Sequence, residues 1–491
     1  MILKFLDVKK FFDTMNYKKC LIEAHRSGIK GKYWKMYKVL NGRKQCTPIT
    51  PLGECPSLNV DKVFLQGSCD AMIMAWNLVD TINKDEDDVD DPVVIIDGIK
   101  IPRLLFVDDI LEIIKTFDDL KVTITGNETF EKTNRLCFKP KKCKVMCSNC
   151  TPTEEIKMNG AVLEVIEEHE YLGTIIASDG RSSDLKKRMM DCKGVLNEIV
   201  EVCKVSGIGE IRMNFVNMLI DSCFKLKFKH GCEVWDSFTK TELGSVNKLI
   251  PDMLKRILEL PRSTPTTSII HDFGVVDLDL EVAMERILLA SKTINFEDNR
   301  LSKRLLKSLY EKRIPGFCTF LADAMEMVGV ENLESLQEES DERKAVKCRL
   351  VEVQKRRLAE AMMRGSKTDA MLLNFNYDGR MKNYLRQLPF QEGRIIFMLR
   401  ARMFPTKCNF PNRWSTSKLC TFCCDKDTDE HLFKCCGYMD IHQYKISHKI
   451  FMCLDTKLES LSYGAKILLR IHERLICINE DGDLNKDSKD G

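Results

Sequence analysis

Two adjacent aspartates, Asp108 and Asp109, stand inside the string RLLFVDDILEI, with apolar strand-forming residues on both sides. Side chains alternate between faces along a strand, so on a half-buried strand one of the two carboxylates would be driven into the core. A tight hairpin resolves the conflict by placing the pair at its turn, with both carboxylates at the mouth of a cleft. Two ionised carboxylates that close repel, so either one is protonated or a cation sits between them. Asp7 stands in an analogous setting: Ile2, Leu3, Phe5 and Leu6 read as a strand, Asp7 ends it, and Lys9 and Lys10 follow. Three carboxylates converging from two neighbouring strands offer oxygen ligands to two hard cations. Such an ion pair activates an attacking oxygen and steadies a leaving one in phosphoryl transfer. Taken alone, the apolar-Asp-Asp-apolar string has a competing reading as a plain turn or helix cap.

The surroundings of these acids read as mixed α/β through the first 180 residues. Asp97-Gly98 separates two apolar β-branched runs, and Asn159-Gly160 lies between IKM and AVLEVI; both are hairpin signals. The stretch from Asp85 to Asp91 is too charged for a core and reads as an exposed loop. From Ser183 the pattern changes to helical steps through Leu185, Met189, Cys192, Leu196, Ile199 and Cys203, with Ser183 as the N-cap. A second helix is expected over Leu243 to Ile257, kinked at Pro251. Residues 276–400 are helical in pattern, with a basic face around Lys355, Arg356 and Arg357, and the last dozen residues read as disordered.

At 491 residues the chain is too long for one core, and its 44% hydrophobic content is enough to build several. Its 76 basic and 73 acidic residues nearly cancel, so total charge neither demands nor excludes a nucleic-acid partner. No run approaches the roughly 18 apolar residues of a membrane span, and the N-terminus lacks the apolar stretch of a signal peptide. An intracellular chain is the expectation, with nucleus and cytoplasm both open.

The 22 cysteines are scattered, unlike a small secreted disulfide framework. One group is spaced for a metal. Cys420 and Cys423 form a C-x2-C turn, His431 follows after seven residues, and Cys435 stands four beyond it, on the same face of a helix. The set makes a Cys3His tetrahedron of the structural zinc type, with Cys436 as an alternative fourth ligand. Cys143, Cys147 and Cys150 lack a histidine and read as structural thiols.

The order of segments carries a resemblance. LDVKKFFD at 6–13 resembles the first palm motif of reverse transcriptases of the non-LTR retrotransposon type, and VFLQGSCDAMIMAWN at 63–77 looks like the next. FVDD at 106–109 is similar to the family's [FY]-x-D-D box, NRLCFKPKKCKVM at 134–146 to its lysine motif, and YLGTII at 171–176 to its primer-grip strand. HGCEVW at 230–235 fits the G-x-E-x-W segment of the family's helical, basic thumb, where Lys186, Lys187, Arg188, Lys225, Lys227 and Lys229 would track a phosphate backbone.

By that resemblance the fold is α+β: a right-hand polymerase palm over 1–180, a helical thumb over 181–275, an all-α connector over 276–405, a zinc knuckle over 406–445 and a helical tail over 446–491. Asp7 and Asp108 would hold Mg2+ or Mn2+, with Asp109 beside them. Phe12 would block a ribose 2′-hydroxyl, and Gln66 and Gly67 would line the nucleotide cleft. Lys142 would protonate or neutralise the departing pyrophosphate. The implied activity is RNA-directed DNA polymerisation, with an RNA template, a DNA primer and deoxynucleoside triphosphates as partners. Only six residues precede Asp7, so the fingers are expected to be largely absent and activity reduced. Phe11, Leu65 and Asp70-Ala71-Met72 depart from the family pattern. The alternative is a non-catalytic RNA- or DNA-binding protein of transposon origin.

Overall fold

The computed structural model describes all residues except 41–43, 61–68, 85–91, 93, 102, 135, 180–182, 206–211, 236–237, 338–341, 365–375, 411–417, 421–422, 434–457 and 488–491. The chain is mixed α/β and divides into two compact units: Met1–Ser183 with Asp298–Ser308, and Asp184–Glu297 with Leu309–Gly491.

The first unit is built on a five-stranded sheet. Its spatial order is Glu164–Ile166, Lys144–Cys147, Ile2–Asp7, Asp109–Ile114 and Leu104–Phe106. All neighbours are antiparallel except the Lys144–Cys147 and Glu164–Ile166 pair. The period-two alternation of the central strand explains its position. Ile2 and Leu6, with Ile110 and Ile114 on the next strand, join a core that also takes Leu78 from helix Cys69–Val79 and Leu120 from helix Phe117–Asn134. Leu3, Phe5, Leu111 and Met146 point the other way, against Tyr171 and Ile176 of the hairpin Glu168–Ala177. A strand covered on both faces reads as a nearly continuous apolar run, as ILKFL does.

Lys4 breaks that run and is fully buried. Its ammonium lies 2.6 Å from Glu112 Oε2 on the neighbouring strand and donates to Thr123 Oγ1 at 2.9 Å. Arg103 Nε meets the other oxygen of Glu112 at 2.5 Å. Burial weighs on both sides of this pair: it pulls the Lys4 ammonium below its ordinary range, and it opposes Glu112 too. For Glu112 the two flanking cations outweigh burial and hold the carboxyl low.

Both hairpins read from the sequence form. Val94–Ile96 pairs with Ile99–Ile101 around Asp97 and Gly98, and Lys157–Met158 pairs with Ala161–Val162 around Asn159 and Gly160. All four turn residues have positive φ, the requirement of the tight turn that matches strand twist. The acidic 85–91 stretch lies outside the described residues.

The second unit is helical. Helix Asp184–Val205 starts directly after Ser183, whose hydroxyl donates to Glu168 at 2.8 Å. Trp235, in the 230–235 segment, is buried edge-on against Phe228, and its indole donates to Asp184 at 2.7 Å. The helix expected to kink at Pro251 is instead two helices, Lys240–Val246 and Leu249–Ile257. Thr239 and Glu242 close a capping box on the first of them, and Pro251 falls in the opening turn of the second, where its missing N–H leaves no bond unmade. Arg357 is no part of a solvated basic face: both carboxylate oxygens of Asp279 accept from it, at 3.1 and 2.9 Å. The helix Leu458–Asp487 also runs through most of the tail expected to be disordered. Leu461, Ala465, Leu468 and Ile471 bury a stripe in the unit's core, and a helix so docked extends by one hydrogen bond per added residue. No helix among the described residues is long and apolar enough to cross a membrane.

Candidate functional site

The central strand and its neighbour bring two of the sequence-predicted acids face to face. Asp7 pairs in register with Asp109 across the antiparallel ladder. Alternation puts both on the sheet face that carries Phe5 and Leu111. Like charges directly opposite one another destabilise a sheet, so this pairing works against the fold unless a cation or a proton offsets it.

Asp108 sits in the two-residue turn between Phe106 and Asp109, which are themselves paired. The other turn residue, Val107, has φ 57°. Left-handed backbone is strained for a β-branched residue, at roughly 1–3 kcal/mol. Packing of the Val107 side chain against the core of this unit holds the turn in place. The expectation that both acids lie at a turn is met by Asp108, while Asp109 opens the following strand.

Lys142 arrives from the opposite side. Val8 bridges Phe138, the Lys139 N–H donates to the Asp7 carbonyl at 2.9 Å, and a tight turn follows through Lys142. The Lys142 ammonium then lies 3.2 Å from Asp7 Oδ2. Lys139, not singled out in the sequence although it belongs to the same KPKK run, stands 3.9 Å from Asp7 Oδ1. That Oδ1 is buried and accepts no hydrogen bond. Burial, then the neighbouring Asp108 and Asp7, push the Asp109 carboxyl above its ordinary range, and Lys142 pulls it back. Tyr171 feels the same cluster: burial first and Asp109 second raise its phenol. The three carboxylates do not converge within 4.8 Å of one another. Asp7 Oδ1 thus has an ammonium 3.9 Å away but no hydrogen bond, and its carboxylate faces the like charge of Asp109 across the ladder.

Phe12 lies in the short helix Phe11–Thr14, half-buried against the core, its ring 5.6 Å from that of Phe11 and nearly perpendicular to it. Gln66 and Gly67 lie outside the described residues.

In the second unit Cys420, Cys423 and His431 come together, their ligand atoms all within 4.8 Å of one another. Cys423 Sγ is 3.2 Å from His431 Nε2. The turn is made by the Cys424 N–H donating to the Cys420 carbonyl at 3.1 Å, with Cys424 at φ 59°, and by a bridge between Leu419 and Lys426. His431 opens a short helical turn, where its N–H donates to Thr428 Oγ1 at 3.2 Å. Two thiols and an imidazole so placed can hold a metal ion such as zinc. Cys435 and Cys436 lie outside the described residues.

No family model and no curated protein matches the sequence. Among solved structures the chain is similar to telomerase from Candida albicans in complex with a fragment of telomeric RNA, with a TM-score of 0.30 and 9% identity. The match covers 76% of this chain and 49% of that one, so the chain spans about half the length of that protein.

Proposed function

We propose that the chain is an RNA-directed DNA polymerase of the non-LTR retrotransposon type, with a palm in the first unit and a thumb, connector and zinc knuckle in the second. The observation that carries this reading is the register pairing of Asp7 with Asp109, beside a strained turn that presents Asp108 and under the ammonium of Lys142. Asp7 and Asp108 are the residues to hold magnesium or manganese, which when bound supply activation of a primer 3′-hydroxyl and stabilisation of the pyrophosphate oxygen. Lys142 moves a proton to that leaving group or neutralises it. The Phe12 ring excludes a 2′-hydroxyl. The partners are an RNA template, a DNA primer and deoxynucleoside triphosphates.

Primer extension on an RNA template, comparing the chain with Asp108→Asn, tests the reading. Incorporation by the native chain and none by the variant is the expected result; equal activity in both would sink it.

A second reading, non-catalytic binding of RNA or DNA, is favoured by the convergence of Cys420, Cys423 and His431, since a structural ion held there would shape a binding surface without doing chemistry. Binding that survives Asp108→Asn, with no incorporation by either protein, selects this second reading.

A further inference from the structure

The second unit contains a cleft of about 980 Å3 that neither the carboxylate cluster nor the cysteine–histidine turn uses. Its size falls in the range of roughly 300–1,000 Å3 typical of small-ligand sites. Five segments supply most of its lining: the helix run Met213–Lys229, residues 273–276, the helix Leu278–Ile294, the start of helix Glu342–Met363, and residues 379–386.

Its floor is apolar, with Val275, Val276, Met284, Leu350, Val351 and Met381. Two glycines let these segments close on each other. Gly274 has φ +64° and a Cβ there would collide with the Arg380 backbone; Gly379 has φ +69° and a Cβ there would come within 2.8 Å of Val351. The floor is therefore pre-formed by backbone contact. One wall carries a π-helical turn, Ile220–Lys225, a distortion of the ordinary helix that is frequent at functional sites.

The charges lining the cleft do not balance. Its acids are Asp221, Glu281 and Glu285. Lys225 meets Asp221 at 3.1 Å and Glu281 at 3.0 Å, Lys229 meets Glu285 at 3.1 Å, and Arg343 reaches Glu285 at 3.7 Å. Lys344, Lys347, Arg380 and Arg386 remain exposed at the rim, with no acidic partner among the described residues. A cationic rim over an apolar floor suits a ligand with phosphates at one end and a flat, largely apolar body at the other. Guanidinium forks can bond phosphate oxygens bidentately, and the two lysine ammoniums add point charge beside them.

We propose that this cleft binds a nucleotide, its base and sugar on the Val275–Met381 floor and its phosphates against Lys344, Lys347, Arg380 and Arg386. The nucleotide is either free or one unit of an unpaired strand. The assignment goes beyond the polymerase reading and does not depend on it.

The experiment is calorimetric titration of the full chain with ATP, inorganic triphosphate and a short oligouridylate. Each titration is repeated on Lys344→Glu/Lys347→Glu, on Lys292→Glu as an exposed control outside the cleft, and on Asp108→Asn. ATP or the oligouridylate should bind more tightly than triphosphate, and should lose roughly tenfold or more in the double variant. Lys292→Glu should leave that binding unchanged, and with EDTA present to keep the carboxylate cluster free of metal Asp108→Asn should leave it unchanged too. Tighter binding of ATP identifies a free nucleotide, and tighter binding of the oligouridylate identifies a strand. Binding of neither, triphosphate binding as tight as both, indifference to the double variant, or equal loss in either control overturns the proposal. Loss in Asp108→Asn alone would place the nucleotide at the carboxylate cluster instead.

Discussion

The Lys142 ammonium stands 3.2 Å from Asp7 Oδ2 although 135 residues of sequence separate them. The contact exists because the strand after Lys142 pairs with the strand that Asp7 ends. If Lys142 serves the leaving group, Lys142→Met should lower the rate of nucleotide incorporation by about 10²–10⁴. Binding of primer and template should change far less. Single-turnover incorporation set beside a gel-shift titration separates the two, and an unchanged rate would remove the role.

Glu112 holds two buried cations in the sheet that carries Asp7. Glu112→Leu leaves Lys4 and Arg103 facing each other without their anion, and should cost about 3–5 kcal/mol in chemical denaturation. Adding Lys4→Met should recover part of that loss, because it removes the more deeply buried charge. Additive losses in the double variant would mean the three groups do not act as one network.

Metal analysis should find zinc bound to the native chain and lost in Cys420→Ser and in Cys423→Ser, because each change removes one thiolate from the set. Chelation should also weaken salt-dependent binding of RNA or single-stranded DNA. A full complement of zinc in both variants would place the ion elsewhere.

His472 packs edge-on against Phe404, and burial, with Arg394 adding to it, lowers its pKa to about 4. The folded chain therefore resists a proton that the unfolded chain accepts from about pH 6.5 downward. Stability from this group is complete above that pH and is lost as pH falls toward 4, by about 1–2 kcal/mol once partial solvent contact is allowed for. Asp277 titrates with the opposite sign in the same window, since burial and then Asp279 raise it to about 6 and its protonation favours the folded state. The test is thus the difference between native and His472→Phe unfolding curves from pH 7 to pH 4, in this direction. A difference that stays constant with pH would show that His472 is not the group.

Several features were legible in the sequence because their causes are local. Asp97-Gly98 and Asn159-Gly160 encode their turns in their own backbone preferences. The spacing of Cys420, Cys423 and His431 sets a metal-binding turn within a dozen residues. The register that puts Asp7 opposite Asp109, the contact of Lys142 and Lys139 with Asp7, and the burial of Tyr171 near Asp109 came only with tertiary structure. The same holds for Arg357, which looked like part of a solvated face until Asp279, 78 residues away, was found against it. Local preference acts over a few residues and is written in them, whereas pairing partners and charge neighbours are chosen by which distant segments the whole chain can pack together.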